Sequence, residues 1–321
     1  MSEAHRQTSR TREIALRAKV GKIRIARLET IRFPVIISLL AVYIIWGSTY
    51  LGIRIALESF PPFMMGSIRL LIAGTILLTI LRLRETDWPT LIEARNAAFV
   101  GAIMFGGGLG LVTFAEQWVA SGLAALAAAA IPIWTAIFAG LWGRWPSRLE
   151  WVGLLIGLTG VVLLNMENGM QSNPMGSVAL LIGPILWSFA SMLSRRIAMP
   201  EGFTAIMFEL FGGGAIMTVI SIISQESMTE YPTVRSIVVM VYLTIMGSIV
   251  GFSAYMYLLR SVRPALATSY AYINPVIAVI LGITLASETI TSTGVIAMFV
   301  ILSGVALLAF AKERSDGTQN A

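Results

Sequence analysis

The sequence predicts an all-α polytopic membrane protein in which ten transmembrane helices form two inverted five-helix repeats. The prediction depends on an apolar composition, the distribution of basic residues and an internal repeat. Hydrophobic residues make up 56% of the 321 residues and charged residues only 12%, too few to cover a soluble domain. Once the 33-residue N-terminal tail is removed, ten spans leave about 29 residues each, enough for a helix of about 20 residues and a short loop.

Ten apolar segments follow one another along the chain. The predicted spans are residues 35 to 56, 62 to 81, 97 to 117, 121 to 141, 149 to 165, 175 to 195, 203 to 223, 235 to 259, 264 to 285 and 293 to 311. With a cytoplasmic N-terminus, 20 of the 23 Lys and Arg residues lie in cytoplasmic loops or tails, as positive-inside sorting requires. We therefore predict a multi-pass protein of the inner or plasma membrane with both termini in the cytoplasm.

The two halves of the chain repeat each other. Trp46 lines up with Trp187 at an offset of 141 residues, and Pro132 with Pro275 at 143. Because five spans is an odd number, the second half enters the membrane from the opposite side, an arrangement that transporters use for alternating access. The predicted units are a basic cytoplasmic tail (1–33), repeat 1 (34–165), repeat 2 (175–311) and a second cytoplasmic tail (312–321).

The basic N-terminal tail has two interpretations. Its second half mixes apolar residues with Lys19, Lys22, Arg24 and Arg27, which is typical of a helix on anionic headgroups. The alternative is a disordered tail that only fixes the orientation in the membrane.

Charged residues inside the apolar segments are costly and are candidates for function. Arg69 lies about 12 Å deep in the second span and Glu209 at a similar depth in the seventh. They are interpreted as groups that line a cavity; the alternatives are a structural pair or snorkelling side chains. Arg54 and Glu116 approach the outer ends of their spans, which predicts either a gating salt bridge or interfacial anchors. Glu116 is also the best-placed carboxylate for proton coupling.

Aromatic residues lie too deep to be interfacial anchors. Helical spacing places Trp46, Tyr50 and Arg54 on one face of the first span, and Trp187 and Ser191 on the matching face of the sixth. Both tryptophans are about twelve residues into their spans, that is, about 18 Å along the helix. They are interpreted as the walls of a central cavity, with simple packing as the alternative.

Two prolines indicate broken helices. Tyr270 and Asn274 share a face just before Pro275, and Pro132 occupies the corresponding place in the fourth span. Proline removes a backbone donor and frees carbonyl groups that only a cavity or a polar neighbour can satisfy at this depth. Interrupted helices at corresponding positions point to a binding site.

Several classes of chemistry are not supported. There is no cysteine, and the only histidine, His5, lies in the tail, so thiol or imidazole catalysis within the membrane is excluded. The glycines at 106–110 and 212–214 lack the Lys and Ser or Thr of a nucleotide loop. The glycines of the third span indicate tight helix packing, with a cavity wall or a hinge as the alternative, and Gly153, Gly157 and Gly160 indicate a packing face, within the chain or between protomers. We predict no cofactor, no metal site, no catalytic residue and no nucleic-acid partner.

Longer stretches resemble a known family. Residues 43–74, 149–165 and 255–282 resemble the drug/metabolite transporter superfamily, its EamA branch and, within that branch, the YedA-like inner-membrane proteins. The likeness covers about residues 34–311, and the Pro-Ala-Leu-Ala-Thr-Ser-Tyr run at 264–270 is specific to the group. The resemblance implies ten helices, two EamA repeats, cytoplasmic termini, a central cavity and export of amino acids, other metabolites or amphiphilic toxic compounds. The long basic tail departs from the usual short one.

The sequence therefore predicts a secondary transporter that exports small metabolites (amino acids or derivatives) or amphiphilic drugs by alternating access. The predicted substrate-binding residues are Trp46, Tyr50, Arg69, Glu116, Trp187, Tyr270 and Asn274. The predicted gating or coupling residues are Arg54, Glu116, Glu209, Pro132 and Pro275. The alternatives are a ligand sensor or scaffold without transport, and an enzyme, for which two separated carboxylates are a poor basis. Partners are a small-molecule substrate and the bilayer, with optional proton coupling, in a monomer or homodimer.

Overall fold

The computed structural model describes residues 33–118, 124, 127–165, 173–228, 231–286 and 292–311. Within these ranges every regular element is helical. The predicted tails lie outside the described residues, apart from Phe33, which begins the first helix.

A described helix lies in each of the ten predicted intervals. They are α1 (Phe33–Ala56), α2 (Pro62–Leu83), α3 (Leu91–Ala115), α4 (Ile131–Leu141), α5 (Arg148–Asn165), α6 (Pro174–Leu193), α7 (Gly202–Ile223), α8 (Val234–Ser261), α9 (Tyr270–Ala286) and α10 (Ser292–Phe310). By length and composition α1, α2, α3, α6, α7, α8 and α10 can each cross a membrane, and α4 is a shorter apolar helix. The all-helical, multi-pass architecture is confirmed, while the count of ten crossings stays a prediction.

The start of α3 differs from the prediction. The helix begins at Leu91 rather than at residue 97 because Thr90 and Glu93 form a capping box. The Thr90 Oγ1 accepts from the Glu93 N–H at 3.3 Å, and the Glu93 carboxylate accepts from the Thr90 N–H at 2.9 Å. Because this first turn contains polar residues, a prediction from apolar segments does not find the start of the helix.

The most extensive helix contacts join α5 to α10 and α2 to α7, each a pair of corresponding helices from the two predicted repeats. The α5 and α10 backbones meet at glycine: a Cβ on Gly304 would lie 2.5 Å from the Gly157 nitrogen and 2.8 Å from the Gly153 oxygen. The predicted packing face is therefore confirmed. Its use between protomers is wrong, because α10 of the same chain covers it.

Two helices contain π-helical segments at corresponding positions. These segments are Ala102–Leu109 in α3 and Leu243–Gly251 in α8. A π-helix carries one extra residue per turn, is rare, and is found disproportionately at functional sites. Both segments border the cavity described below, through Gly108 and Gly247.

The two predicted helix interruptions have different outcomes. A turn at Ala129 and Ala130 precedes α4, whose first turn contains Pro132, so the helix is interrupted there as predicted. Pro275, by contrast, lies inside the continuous helix α9, so the interruption predicted just before it is wrong.

The chain is interrupted at Thr268 and Ser269 instead, between the helical turn Pro264–Ala267 and α9. The Thr268 hydroxyl donates to the Pro264 carbonyl at 2.9 Å, and the Ser269 hydroxyl donates to the Leu266 carbonyl at 2.7 Å. The same two carbonyls also accept from the backbone N–H groups of Thr268 and Ser269, at 3.0 and 3.2 Å, so the hydroxyls add a second hydrogen bond to each carbonyl at the interruption.

Side-chain contacts sort the loops into two ends of the molecule. At one end, Arg196 donates to the Trp142 carbonyl, and Arg260 donates to the Pro200 carbonyl at 3.3 Å. We call this the basic end, because its described loops carry most of the arginines; it is the predicted cytoplasmic end. At the opposite end, Arg235 pairs with Glu58 at 3.9 Å.

Candidate functional site

A central cavity lies between helices of both predicted repeats. Its volume is about 80 Å³, which exceeds the room that one water molecule needs. Six of the seven predicted substrate-binding residues line it: Trp46, Tyr50, Arg69, Trp187, Tyr270 and Asn274. The structure thus brings together predicted residues from four helices, α1, α2, α6 and α9, although binding itself stays a prediction.

Aromatic rings form one wall of the cavity. The Trp46 ring centroid lies 4.7 Å from that of Tyr270 and 5.6 Å from that of Trp187, both edge-to-face. The Trp46 indole N–H donates to the Gly247 carbonyl in the π-helical segment of α8, at 3.1 Å. Trp46 is therefore held by both its ring and its polar edge, which gives the wall a fixed shape.

Tyr255 closes the cavity towards the basic end and was not among the predicted site residues. Its side chain is fully buried, and its ring centroid lies 5.1 Å from that of Trp46 and 5.5 Å from that of Tyr270. Its hydroxyl shares a hydrogen bond of 2.8 Å with Ser191 Oγ on α6. The available signal was weak: a tyrosine in an apolar span needs a partner for its hydroxyl, but the sequence does not identify that partner.

Arg69 brings a cation to the cavity. Its side chain is only 5% exposed, and its Nε donates to Ser248 Oγ at 2.8 Å. Among the described residues it forms no ion pair. A buried guanidinium without an anionic partner is costly, so the geometry favours an anionic ligand at this position.

Asn274 adds an unused acceptor to the same cavity. The residue is 1% exposed, and its Oδ1 has no hydrogen-bond partner among the described residues. Buried polar atoms are normally paired, so an unpaired carbonyl oxygen here indicates a place for a ligand N–H or a water molecule. The cavity therefore combines one cation, one free acceptor and several aromatic rings.

Glu116 lies outside the cavity lining, unlike the other six predicted residues. It follows the last turn of α3, and both of its carboxylate oxygens are buried without a hydrogen-bond partner among the described residues. Arg54 is exposed and does not line the cavity. The predicted salt bridge between them is not formed in this structure.

Glu209 is also separate from the cavity. It is fully buried on α7, and neither carboxylate oxygen has a hydrogen-bond partner among the described residues. Its backbone packs so closely on α3 that a Cβ on Gly101 would overlap it. Arg69 and Glu209 therefore do not form the paired cavity groups that their similar depths predicted.

Several lining residues were not predicted as site residues. Thr49 lies one turn from Trp46, Phe105 belongs to the π-helical segment of α3, and Gly183 and Pro184 lie inside α6. Pro184 could have been predicted as a cavity residue, because a proline at this depth frees a backbone carbonyl just as Pro132 does. Threonine and phenylalanine in an apolar span carry no such signal.

A bundle of apolar helices around a cavity with one cation fits the class of small-solute membrane transporters. Comparison with family models agrees: the EamA-like transporter family matches residues 33–166 and 174–310. The chain therefore belongs to the EamA-like transporter family. A two-repeat architecture fits these two matches.

Relatives define the group more narrowly. The chain is 44% identical to the inner membrane transporter YedA of Escherichia coli (strain K12), covering 87% of this chain and 92% of YedA. It is 25% identical to the transporter YdfC of Bacillus subtilis (strain 168), covering 81% and 86%. A solved crystal structure with 20% identity superposes with a TM-score of 0.71, covering 84% of this chain and 94% of that one, and supports the fold alone. The protein is a multi-pass inner membrane transporter similar to YedA.

Proposed function

We propose that the protein is a secondary transporter that exports small metabolites by alternating access, and that amino acids or their derivatives fit its cavity best. The observation that carries the proposal is the unpaired Arg69 guanidinium in one cavity with the free Asn274 Oδ1. A carboxylate pairs with the guanidinium, and an ammonium or amide N–H donates to the amide oxygen. Amphiphilic drugs are the second class of cargo, because the aromatic wall suits flat apolar groups.

The conformation supports alternating access. The cavity is lined towards the end opposite the basic end by Tyr50 and Ile53, whereas Tyr255 and Ser191 seal it towards the basic end. An exporter releases its cargo from a state that is open at the end opposite the basic end. The two predicted inverted repeats give a second state by exchanging their conformations.

Proton coupling is proposed for Glu116 or Glu209. Both carboxylates are buried and lack a hydrogen-bond partner among the described residues, so their charged forms are costly and binding a proton removes that cost. Replacing the coupling residue by glutamine is expected to abolish accumulation against a gradient and to spare exchange. Accumulation that is unchanged in both variants excludes these two residues as coupling sites.

Cargo is best identified by a thermal-shift screen of the purified protein against metabolites and antibiotics, since binding stabilises by mass action without any assumption about direction. A compound found in this way is then tested by counterflow of the labelled compound in proteoliposomes. Saturable counterflow that is lost in Arg69→Gln supports transport through the central cavity. Binding without counterflow for every stabilising compound supports the alternative of a ligand sensor or scaffold.

A further inference from the structure

A second pocket lies at the basic end and is lined by three arginines. It has a volume of about 210 Å³ and is formed between the ends of α4 and α6 and the turn at Pro264. Arg144 follows α4, and Arg195 and Arg196 follow α6. The three arginines therefore border one space.

The pocket is distinct from the central cavity. Trp187, inside α6, lines the central cavity, whereas Arg195, eight residues later and beyond the end of α6, lines the basic pocket. Between them, the buried Ser191 and Tyr255 share their hydrogen bond. The two spaces share no lining residue.

The arginines of the pocket have no anionic partner within the described part of the chain. The ion pairs found there join Arg235 to Glu58 and Arg263 to Glu150, and neither includes a residue of this pocket. Burial, followed by the repulsion of Arg144 and Arg196, lowers the pKa of Arg195. Three cations held together without a carboxylate repel each other, and an anion between them removes that repulsion.

One arginine is also fixed in direction. Arg196 donates through Nη2 to the Trp142 carbonyl, the residue that ends α4. This hydrogen bond joins the ends of α4 and α6 and leaves the guanidinium at the pocket. A planar guanidinium held in place loses less conformational entropy on binding an oxyanion than a free surface arginine does.

We propose that this pocket binds an oxyanion group, a phosphate or a carboxylate, at the basic end of the protein. Two sources carry this chemistry: a water-soluble anion, and the headgroup of an anionic phospholipid. Basic pockets between helix ends on the cytoplasmic side suit both. The site is additional to the central cavity, and its occupancy needs no transport.

The test measures thermal stability of the full-length protein in a neutral detergent. The soluble probe is inorganic phosphate, with potassium chloride at equal ionic strength as its control. The lipid probe is dioctanoyl phosphatidylglycerol, with dioctanoyl phosphatidylcholine as its control. Stabilisation by phosphate identifies the soluble source, and stabilisation by phosphatidylglycerol alone identifies the lipid headgroup.

Variants place the effect in the pocket. Arg195→Gln is expected to raise the concentration for half-maximal stabilisation about tenfold, as the loss of one charge-assisted hydrogen bond requires. Arg84→Gln is the matched control, because Arg84 is exposed at the same end and does not line the pocket. Should Arg195→Gln not fold, Arg144→Gln at the exposed rim replaces it.

The proposal is overturned if neither probe stabilises the wild-type protein beyond its control, or if the pocket variant and Arg84→Gln respond alike. Because the readout is binding at the basic end, its failure leaves the function of the central cavity untouched. Loss of counterflow in Arg69→Gln, in turn, does not affect this test.

Discussion

The corresponding faces of α1 and α6 have different surroundings in this structure. At the offset of 141 residues, Trp46 and Tyr50 correspond to Trp187 and Ser191. Tyr50 lines the central cavity, whereas Ser191 is fully buried and bonded to Tyr255. The face in repeat 1 thus borders the cavity, whereas the corresponding face in repeat 2 is buried against Tyr255 at Ser191.

The difference between the two faces indicates how the state is held. The face with Ser191 is closed by the hydrogen bond between the Ser191 and Tyr255 hydroxyls and by the contacts of the Tyr255 ring with Trp46 and Tyr270. These contacts include no ion pair. A net hydrogen bond contributes only about 0.5–1.5 kcal/mol, which a bound cargo is able to offset. The seal is therefore stable enough to define a state and weak enough to open.

The largest expected effect is a difference in chemical accessibility between the two faces. The protein has no cysteine, so a single introduced thiol reports without background. In detergent, where both ends meet solvent, Tyr50→Cys is expected to react with a water-soluble maleimide about 10 to 1,000 times faster than Ser191→Cys, since a minor state is commonly populated at about 0.1–10%. Labelling rates are read by intact mass. Equal rates would contradict the difference between the faces.

Arg69 sharpens the comparison because only one repeat supplies this cation: Leu210 stands at the equivalent place in α7. Arg69→Gln is expected to weaken binding of a carboxylate cargo about 30-fold, since losing one partner of a buried charged hydrogen bond costs about 2 kcal/mol or more. Affinity is read from concentration-dependent thermal shifts.

Arg54→Gln is the control for this prediction, since Arg54 is exposed and does not line the cavity. Its affinity is expected to change less than about twofold, because an exposed charge is largely screened. Equal losses in both variants would show that the effect is general electrostatics rather than a contact in the cavity.

A smaller effect is expected from the seal itself. Tyr255→Phe keeps the ring and removes the hydroxyl, so it is expected to speed labelling of Ser191→Cys about threefold, given that the thiol is a weak hydrogen-bond partner. Tyr257→Phe, on an exposed side chain of the same helix, serves as the control. A rate that does not change would assign the seal to ring packing alone.

The sequence was sufficient to predict the cavity residues whose side chains are rare in the hydrocarbon core of a membrane. Trp46, Trp187, Arg69 and Asn274 stood out because large aromatic, charged and amide side chains at that depth need partners, and the structure brings them to one cavity. Ser191 was placed only on the predicted cavity face, because serine in a helix usually bonds to its own backbone.

Helix rotation is the part that the sequence did not determine. Glu116 follows the π-helical segment Ala102–Leu109, which inserts extra residues and turns everything after it relative to a regular helix. Extrapolation of a regular helix therefore misplaces Glu116, which lies outside the cavity lining. The interruption at Thr268 and Ser269 was also missed, because the prediction relied on the more conspicuous Pro275, which lies inside the continuous helix α9.

The smallest expected effect concerns what holds the end opposite the basic end. There α2 begins after Pro61, which offers no side-chain cap, and Glu226 accepts from the N–H groups of Phe63 at 3.1 Å and Met64 at 2.7 Å instead. Because Glu226 follows α7, this single carboxylate ties the two repeats together on the side where the cavity is lined by Tyr50. Glu226→Gln removes the charge that favours a helix N-terminus and is expected to cost about 1 kcal/mol, or about 2–4 °C in apparent melting temperature.

Glu201→Gln is the matched control, since Glu201 precedes α7 at the basic end without forming a cap hydrogen bond. Its melting temperature is expected to stay within about 1 °C of the wild type, as for a surface substitution. If Glu226→Gln also speeds labelling of Tyr50→Cys, the hydrogen bonds from Glu226 to the start of α2 limit access to the Tyr50 side of the cavity as well as stabilising the fold. An unchanged melting temperature in Glu226→Gln would mean that water caps α2 equally well and that the link between the repeats at this end is apolar packing.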